Sequence, residues 1–149
     1  MYKHILVSTD GSTLSDKAVE AAIKLAQLLG AQITAFHAVE PYPLQGAYAA
    51  EASGVAELQP EIFAERNEEY AKRVLEAVAS AAAAANVPCT TNYVTSHSPS
   101  KAIIDKASQE NCDLIVMASH GRRGLEGFLL GSETQKVLTQ STVPVLVYR

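Results

Sequence analysis

Five short apolar runs alternate with helical patterns along this chain, and no other feature of the sequence constrains the fold more. The runs span residues 4–9, 31–39, 87–95, 112–119 and 143–148, and the first, fourth and fifth are almost entirely apolar. Strands that are covered on both faces have this composition, as in a parallel sheet. The alternation therefore predicts an α/β fold, with an open and mainly parallel five-stranded sheet and helices on both faces.

Helical patterns are predicted between the strands, over residues 14–29, about 61–85, 99 to about 108 and 132 to about 139. The first helix has capping-box spacing from Thr13 to Asp16, and Gly30 follows as its C-terminal stop. Ser98 is the predicted cap of the third helix, with Pro99 at its first helical position. We expect right-handed crossovers between the parallel strands.

Residues 40–59 fit neither pattern. This segment combines Pro, Gly, Ala and Ser with two tyrosines. A loop of this length in a compact domain is usually functional or mobile, so we predict a flexible flap after the second strand. The chain of 149 residues is otherwise expected to form one domain, residues 1–149.

Composition excludes several classes of function. The net charge of −4 gives no electrostatic basis for nucleic-acid binding. No run of about 20 apolar residues is present, and the N-terminal apolar run is too short for a signal peptide, so we expect a cytoplasmic protein without a membrane partner. Cys89 and Cys112 are far apart and form no CxxC motif, which favours reduced, buried cysteines over a disulfide or a metal site.

The most unusual stretch lies after the fourth predicted strand, where half of the chain's 8 glycines fall between residues 121 and 131. Gly131 and Ser132 open a predicted helix, whose N-terminal N–H groups and dipole favour a phosphate. Gly121 permits a positive φ in a turn, and Arg122 and Arg123 add positive charge. The alternative is structural: Ser132, with capping-box spacing to Gln135, only caps its helix, or Glu133 satisfies the helix start.

Asp10 and the 4 histidines are the other polar candidates. Asp10, in the turn after the first strand, either contacts a ligand or bonds the backbone of its own turn. His4 is expected at the surface or a sheet edge, and His37 as a satisfied, partly buried side chain. His97 precedes a helix cap, whereas His120 lies inside the glycine loop and either touches a ligand or orients the loop. The motifs HExxH, GxSxG, GxGxxG and GxxxxGK are all absent, which argues against a metalloprotease, a hydrolase nucleophile, a dinucleotide site and a Walker loop.

Taken together, the segments ILVSTDGS, FHAVEP, DLIVMASHGRRGLEGFLLGS and STVPVLVYR resemble the universal stress protein family, within the adenine-nucleotide α-hydrolase-like superfamily. The resemblance covers essentially the whole chain. It implies a Rossmann-like sheet in the order 3-2-1-4-5. Nucleotide-binding members carry Gly, two residues, Gly, nine residues, Gly, and then Ser or Thr. Gly121, Gly131 and Ser132 match the second half of that pattern.

The resemblance also implies a site for ATP or a related adenine nucleotide, at which Mg²⁺ can accompany the phosphates. Asp10 would lie beside the adenosine, with Ser8 and Thr9 lining the same strand end, and Ala38 would offer backbone bonds to the adenine. Met117 and Ala118 would flank the ribose. The residues expected around the phosphates, mainly through their backbone N–H groups, are His120, Gly121, Gly131, Ser132, Glu133 and Thr134.

One position departs from the family pattern, because Ala118 stands where its first glycine is expected. Alanine adds a methyl group and penalises a positive φ. The family includes members that bind no ATP, so the second hypothesis is a nucleotide-free, dimeric interaction protein of the stress response. In both cases no catalytic residues are predicted and any ATP hydrolysis would be slow. The resemblance further implies a homodimer through the C-terminal strand, residues 143–149, whose apolar edge would otherwise invite aggregation.

Overall fold

The computed structural model describes residues 1–55, 59–121 and 130–149. Its strands are β1 (His4–Ser8), β2 (Gln32–Val39), β3 (Cys89–Thr95), β4 (Leu114–Ala118) and β5 (Val145–Tyr148). Its helices are α1 (Thr13–Leu29), α2 (Leu44–Ser53), α3 (Pro60–Ala84), α4 (Pro99–Gln109) and α5 (Ser132–Gln140).

The strands form one parallel sheet in the order β3-β2-β1-β4-β5. The predicted fold class and strand order are therefore confirmed. The central strand β1 is paired on both sides, with Val7 opposite Ala35 of β2 and Val116 of β4. All carboxyl ends of the strands meet at one edge of the sheet, and the chain runs in opposite directions from β1 and β4.

Two hydrophobic clusters cover the two faces of the sheet, as the nearly continuous apolar strands predict. Ile5 and Val7 of β1 pack with α1 and α3, whereas Leu6 points to the other face and packs with α4 and α5. These three side chains are fully buried. Burying a side chain of this size contributes roughly 1.5–3 kcal/mol, so the central strand anchors the loop that follows it.

The helices begin and end close to the predicted residues, but some of their capping contacts differ from those predicted. The cap of α1 is Ser12, whose hydroxyl accepts a hydrogen bond from the Ser15 N–H, so the predicted capping box from Thr13 was displaced by one residue. Gly30 ends α1 in a left-handed conformation, as expected. Pro99 opens α4 after Ser98, as predicted, although the Ser98 side chain makes no capping hydrogen bond.

The segment 40–59, predicted as a flexible flap, is not an irregular loop throughout, because it contains α2, and its residues 56–58 lie outside the described residues. Alanine supplies most of the helix propensity there. Pro43 precedes the helix, and Gly54 follows it at φ +64°, which are ordinary boundary residues rather than signs of a structureless loop. The ring of Tyr42 meets Phe63 of α3 edge-on at 5.2 Å, which ties the segment to the domain.

Of the two places expected for His4, the sheet edge is wrong because β1 is the central strand, and the side chain is partly exposed at the strand's start. Its Nε2 lies 2.8 Å from Thr34 Oγ1 of β2. Both cysteines are free thiols; Cys112 is buried and Cys89 is partly buried. Burial raises the pKa of Cys112 to about 11, which keeps that thiol protonated and unreactive at neutral pH.

Candidate functional site

The turn after β1 is short and internally bonded. Thr9 is buried, and its Oγ1 lies 3.0 Å from Ser15 Oγ and accepts a hydrogen bond from the Gly11 N–H at 3.2 Å. The Ser12 N–H donates to Asp10 Oδ1 at 3.0 Å. Asp10 thus has the turn-forming role that was one of its two alternatives, and Thr9 uses its hydroxyl inside the protein. Ser8, at the end of β1, is partly exposed at this edge.

The loop after β4 returns against this turn. A Cβ built on Gly121 would lie 2.5 Å from Asp10 Oδ2, so any other residue would force the carboxylate to move. The positive φ that the sequence suggested for Gly121 is not observed; among the described residues, positive φ occurs at Gly11, Gly30, Gly54, Asn86 and Asn111. Close approach, not backbone twist, is therefore the reason for glycine at this position.

Gly131, rather than Ser132, is the N-cap of α5, so the predicted capping by Ser132 is wrong. The Gly131 N–H donates to the Ser119 carbonyl at 2.7 Å, which closes the base of the loop. Ser132 is the first helical residue and is exposed. A glycine cap has no side chain to bond the N–H groups of the first turn, which have no acceptor within the helix either. A helix start of this kind is a favourable place for an anion.

The next two residues of α5 use their side chains inside the protein. The Glu133 carboxylate accepts from the Ser100 N–H at 2.8 Å and from Lys136 Nζ at 2.7 Å. Partial burial raises the pKa of Glu133, but the hydrogen bonds from Lys136 and Ser100 together lower it by more. The pKa of Glu133 therefore lies below its ordinary value. Thr134 is buried and donates to the Ala118 carbonyl at 3.1 Å. Only their backbone groups remain for a ligand at the helix start.

Ala118, the residue that departs from the glycine pattern, is the last residue of β4 and pairs with Tyr148. Its φ is not positive, so the expected conformational penalty of alanine does not arise here. Met117 is 6% exposed and belongs to the cluster packed against α4 and α5. Its side chain is therefore part of the core, and its backbone is the part closest to the sheet edge.

His120 lies beside the helix start, because a Cβ on Gly131 would sit 3.3 Å from its Cα. Its Nδ1 is 3.2 Å from Ser119 Oγ. Arg122 and Arg123, which the sequence predicted to add positive charge, lie outside the described residues. The part of the chain that is described contains no cluster of three or more His, Cys, Asp or Glu side chains able to hold a metal ion.

From the other side, β2 and α3 reach the same turn. His37 is buried, and its Nδ1 donates to the Thr9 carbonyl at 2.8 Å, so its prediction as a satisfied side chain is confirmed. Ala38 follows it and is partly buried. Tyr70 of α3 donates its hydroxyl to the Asp10 carbonyl at 2.7 Å. No local sequence pattern signals this contact, because Tyr70 lies 60 residues from Asp10.

Aromatic and polar residues also line a cavity of about 150 Å³ near the carboxyl ends of β2 and β3, including Tyr42, Phe63, Asn67 and Tyr93. The sequence did not predict this cavity, because its lining comes from segments far apart in the chain. No helix within residues 1–55, 59–121 and 130–149 is long and apolar enough to cross a membrane.

The strand order and the carboxyl-end edge of the sheet define the class of protein, a doubly wound α/β domain. Its switch point lies between β1 and β4, where such domains bind their ligands. The chain belongs to the universal stress protein family, whose model matches residues 1–149. Universal stress protein MJ0531 of Methanocaldococcus jannaschii is 34% identical over 149 residues, covering all of this chain and 83% of that protein.

Solved structures agree with this membership. The chain resembles the structure of protein MJ0577 with a TM-score of 0.79 and 26% identity, over 99% of this chain and 96% of the other. It also resembles a universal stress protein solved in complex with cAMP, with a TM-score of 0.71 and 25% identity, over 99% and 97% of the two chains.

Proposed function

We propose that this protein binds ATP or a related adenine nucleotide at the sheet edge between β1 and β4, and acts as a stress-response or signalling module. The observation that carries the proposal is the glycine-capped start of α5. Its cap is Gly131, without a side chain, and Gly121 lies where a Cβ would meet Asp10. A cradle that only glycine leaves free suits a ligand that approaches the backbone closely. The similar protein solved with cAMP supports the adenine-nucleotide class.

In this proposal the nucleotide lies across both loops. Asp10 and the Ala38 backbone contact the adenosine, with the Ser8 end of β1 beside it, and the backbone after Met117 flanks the ribose. N–H groups at Gly121 and at the start of α5 bind the phosphates, because the side chains of Glu133 and Thr134 are already bonded within the protein. Mg²⁺ would be held mainly by the phosphates and water, as is usual for this ion.

The proposed activity is binding rather than catalysis. Glu133, a carboxylate in the first turn of α5, is bonded to Ser100 and Lys136, which leaves it poorly placed as a general base. Asp10 belongs to the adenosine end of the proposed site. Any hydrolysis of ATP would therefore be slow. The cytoplasmic location that the sequence predicts is part of the same proposal.

We also propose a homodimer through residues 143–149. β5 lies at one end of the sheet, and Leu146 on it is 39% exposed. An apolar edge strand is protected when a second copy pairs with it about a two-fold axis. A dimer through β5 equally fits the alternative function, a nucleotide-free dimeric interaction protein. The presence of Ala118 in place of a motif glycine favours that alternative.

One experiment separates the two functions. The purified protein is denatured, and the released small molecules are separated and identified by absorbance and mass. We expect an adenine nucleotide at close to one per chain, or else a calorimetric signal when ATP and Mg²⁺ are added to the nucleotide-free protein. Absence of both results would reject the nucleotide-binding proposal in favour of the interaction protein. Light scattering on the native protein, before it is denatured, tests the dimer.

A further inference from the structure

Two consecutive carbonyl groups of the turn after β1 are held by ring side chains from other elements. The Thr9 carbonyl accepts a hydrogen bond from His37 Nδ1 at 2.8 Å, and the Asp10 carbonyl accepts one from the Tyr70 hydroxyl at 2.7 Å. The two rings also contact each other, with centroids 5.8 Å apart. β2 and α3 therefore fix the main chain on which Asp10 stands.

The turn and Tyr70 are fitted to each other. Gly11 has φ +74°, and a Cβ at that position would collide with the Tyr70 hydroxyl and lie 2.8 Å from a methyl group of Val74. The Arg73 guanidinium lies 5.3 Å from the centroid of the Tyr70 ring and covers it. Such a cation–π contact helps to hold the ring in one orientation.

We propose that Tyr70 and His37 are positioning residues of the nucleotide site, a role that rests on the function proposed above. With both carbonyls held on the α3 and β2 side, the Asp10 carboxylate is directed toward the opposite loop, where its Oδ2 faces Gly121. When the residues of a site are already arranged before the ligand arrives, binding costs less free energy for ordering loops and side chains. Tyr70 thus acts on affinity through the Asp10 turn, without touching the ligand.

The test compares two variants that each remove one phenol hydroxyl. Tyr70→Phe removes the hydrogen bond to the Asp10 carbonyl. The matched control, Tyr93→Phe, removes a hydrogen bond to the exposed Glu68 carboxylate. Calorimetry is run with adenosine, AMP and ATP, and the amide signals of Gly11 and Ser12 are recorded by NMR without nucleotide.

Tyr70→Phe should weaken binding by about three- to tenfold, the usual effect of one lost hydrogen bond. The factor should be the same for all three ligands, because the turn serves the adenosine end. The two amide signals should move in Tyr70→Phe and stay in place in Tyr93→Phe. A general loss of stability would not produce this pattern.

Two results would overturn the role of Tyr70: parent-like affinity in Tyr70→Phe, or a loss that grows with the number of phosphates. If the parent protein binds none of the three ligands, the proposed function fails, and the amide signals alone decide whether Tyr70 holds the turn. Should Tyr70→Phe fail to fold, His37 supplies the same test. His37→Asn keeps a donor near the Nδ1 position and should retain binding, whereas His37→Leu should lose it; equal affinities would refute the proposal.

Discussion

The two loops that face each other at the candidate site are built on opposite plans. Residues 9–12 form a short turn in which side chains bond the backbone, and α3 and β2 hold its carbonyls from outside. The loop after β4 instead ends in a glycine cap, and it comes close to Asp10 only because residue 121 lacks a side chain. The first loop depends on side chains being present, and the second on their absence. Substitutions in the first loop should therefore lower stability as well as affinity, whereas those in the second loop should lower mainly affinity.

The largest expected effect is that of Gly131→Val on affinity. A branched side chain at this position would press against the His120 backbone, only 3.3 Å from the new Cβ, and would project over the open helix start. We expect ATP affinity to fall on the order of a hundredfold or more, as when a binding group is misplaced by about 1 Å. Calorimetry measures this loss, with circular dichroism as the control for folding. A folded variant that binds ATP as well as the parent would show that the phosphate site is placed wrongly.

Thr9→Val should act in the opposite way, mainly on stability. Valine has a similar shape but leaves the Gly11 N–H and the Ser15 hydroxyl without the bond that Thr9 Oγ1 makes with each. A loss of about 1–3 kcal/mol in the free energy of unfolding is expected, the cost of leaving a buried polar group unsatisfied. Urea unfolding measures it. Thr13→Val, at an exposed position, is the control, and an equal effect in both variants would contradict the distinction between the loops.

Ala118→Gly restores the family's glycine and should change little. Because Ala118 lies in β4 without a positive φ, the methyl group imposes no backbone strain that glycine would relieve. ATP affinity should stay the same or improve slightly, while stability falls by roughly 0.5–1 kcal/mol through the flexibility of glycine. Paired binding and unfolding measurements decide this. A large gain in affinity would mean that the methyl group obstructs the ligand.

The smallest effect concerns pH. Because the folded pKa of Glu133 lies below its ordinary value near 4.5, its contribution to stability is complete above that pH and is lost as pH falls through the folded pKa. Glu133→Gln should therefore flatten this acid part of the stability profile, which unfolding midpoints between about pH 6 and 3 would record. Glu110→Gln, at an exposed helix end, serves for comparison. A profile that the Glu133 change leaves untouched would contradict the assigned contacts.

The strands were predictable because a parallel sheet buried on both faces demands nearly continuous apolar runs, and helices such as α1 and α4 carry boundary residues at or beside their ends. The composition of the α2 segment predicts a loop because Pro and Gly are typical of loops, although Pro43 and Gly54 only bracket an alanine-rich helix. Local composition cannot distinguish those two situations without knowledge of the contact between Tyr42 and Phe63.

Within the candidate site, the positions of Asp10, Gly121 and Gly131 followed from the order of strands and loops. Their physical roles did not, because those depend on partners that are distant in sequence. Tyr70 lies 60 residues from Asp10, and Glu133 lies 33 residues from Ser100. Neither pairing leaves a periodic signal, and helix capping by a carboxylate of another helix is visible only once α4 and α5 are packed together.

The hydrogen bond from the Ser100 N–H to the Glu133 carboxylate affects where a free anion can bind. Of two neighbouring helix starts, α4 holds an internal anion, the Glu133 carboxylate on the Ser100 N–H, whereas the cap of α5 is Gly131, which has no side chain. The Glu133 carboxylate thus competes with free anions at the start of α4, and its effective concentration there is high because it belongs to the same chain. A free phosphate arriving at this side of the domain would have to displace a tethered carboxylate at α4, whereas the Gly131 cap has no side chain to displace. One acidic side chain would in this way direct incoming negative charge to the neighbouring helix.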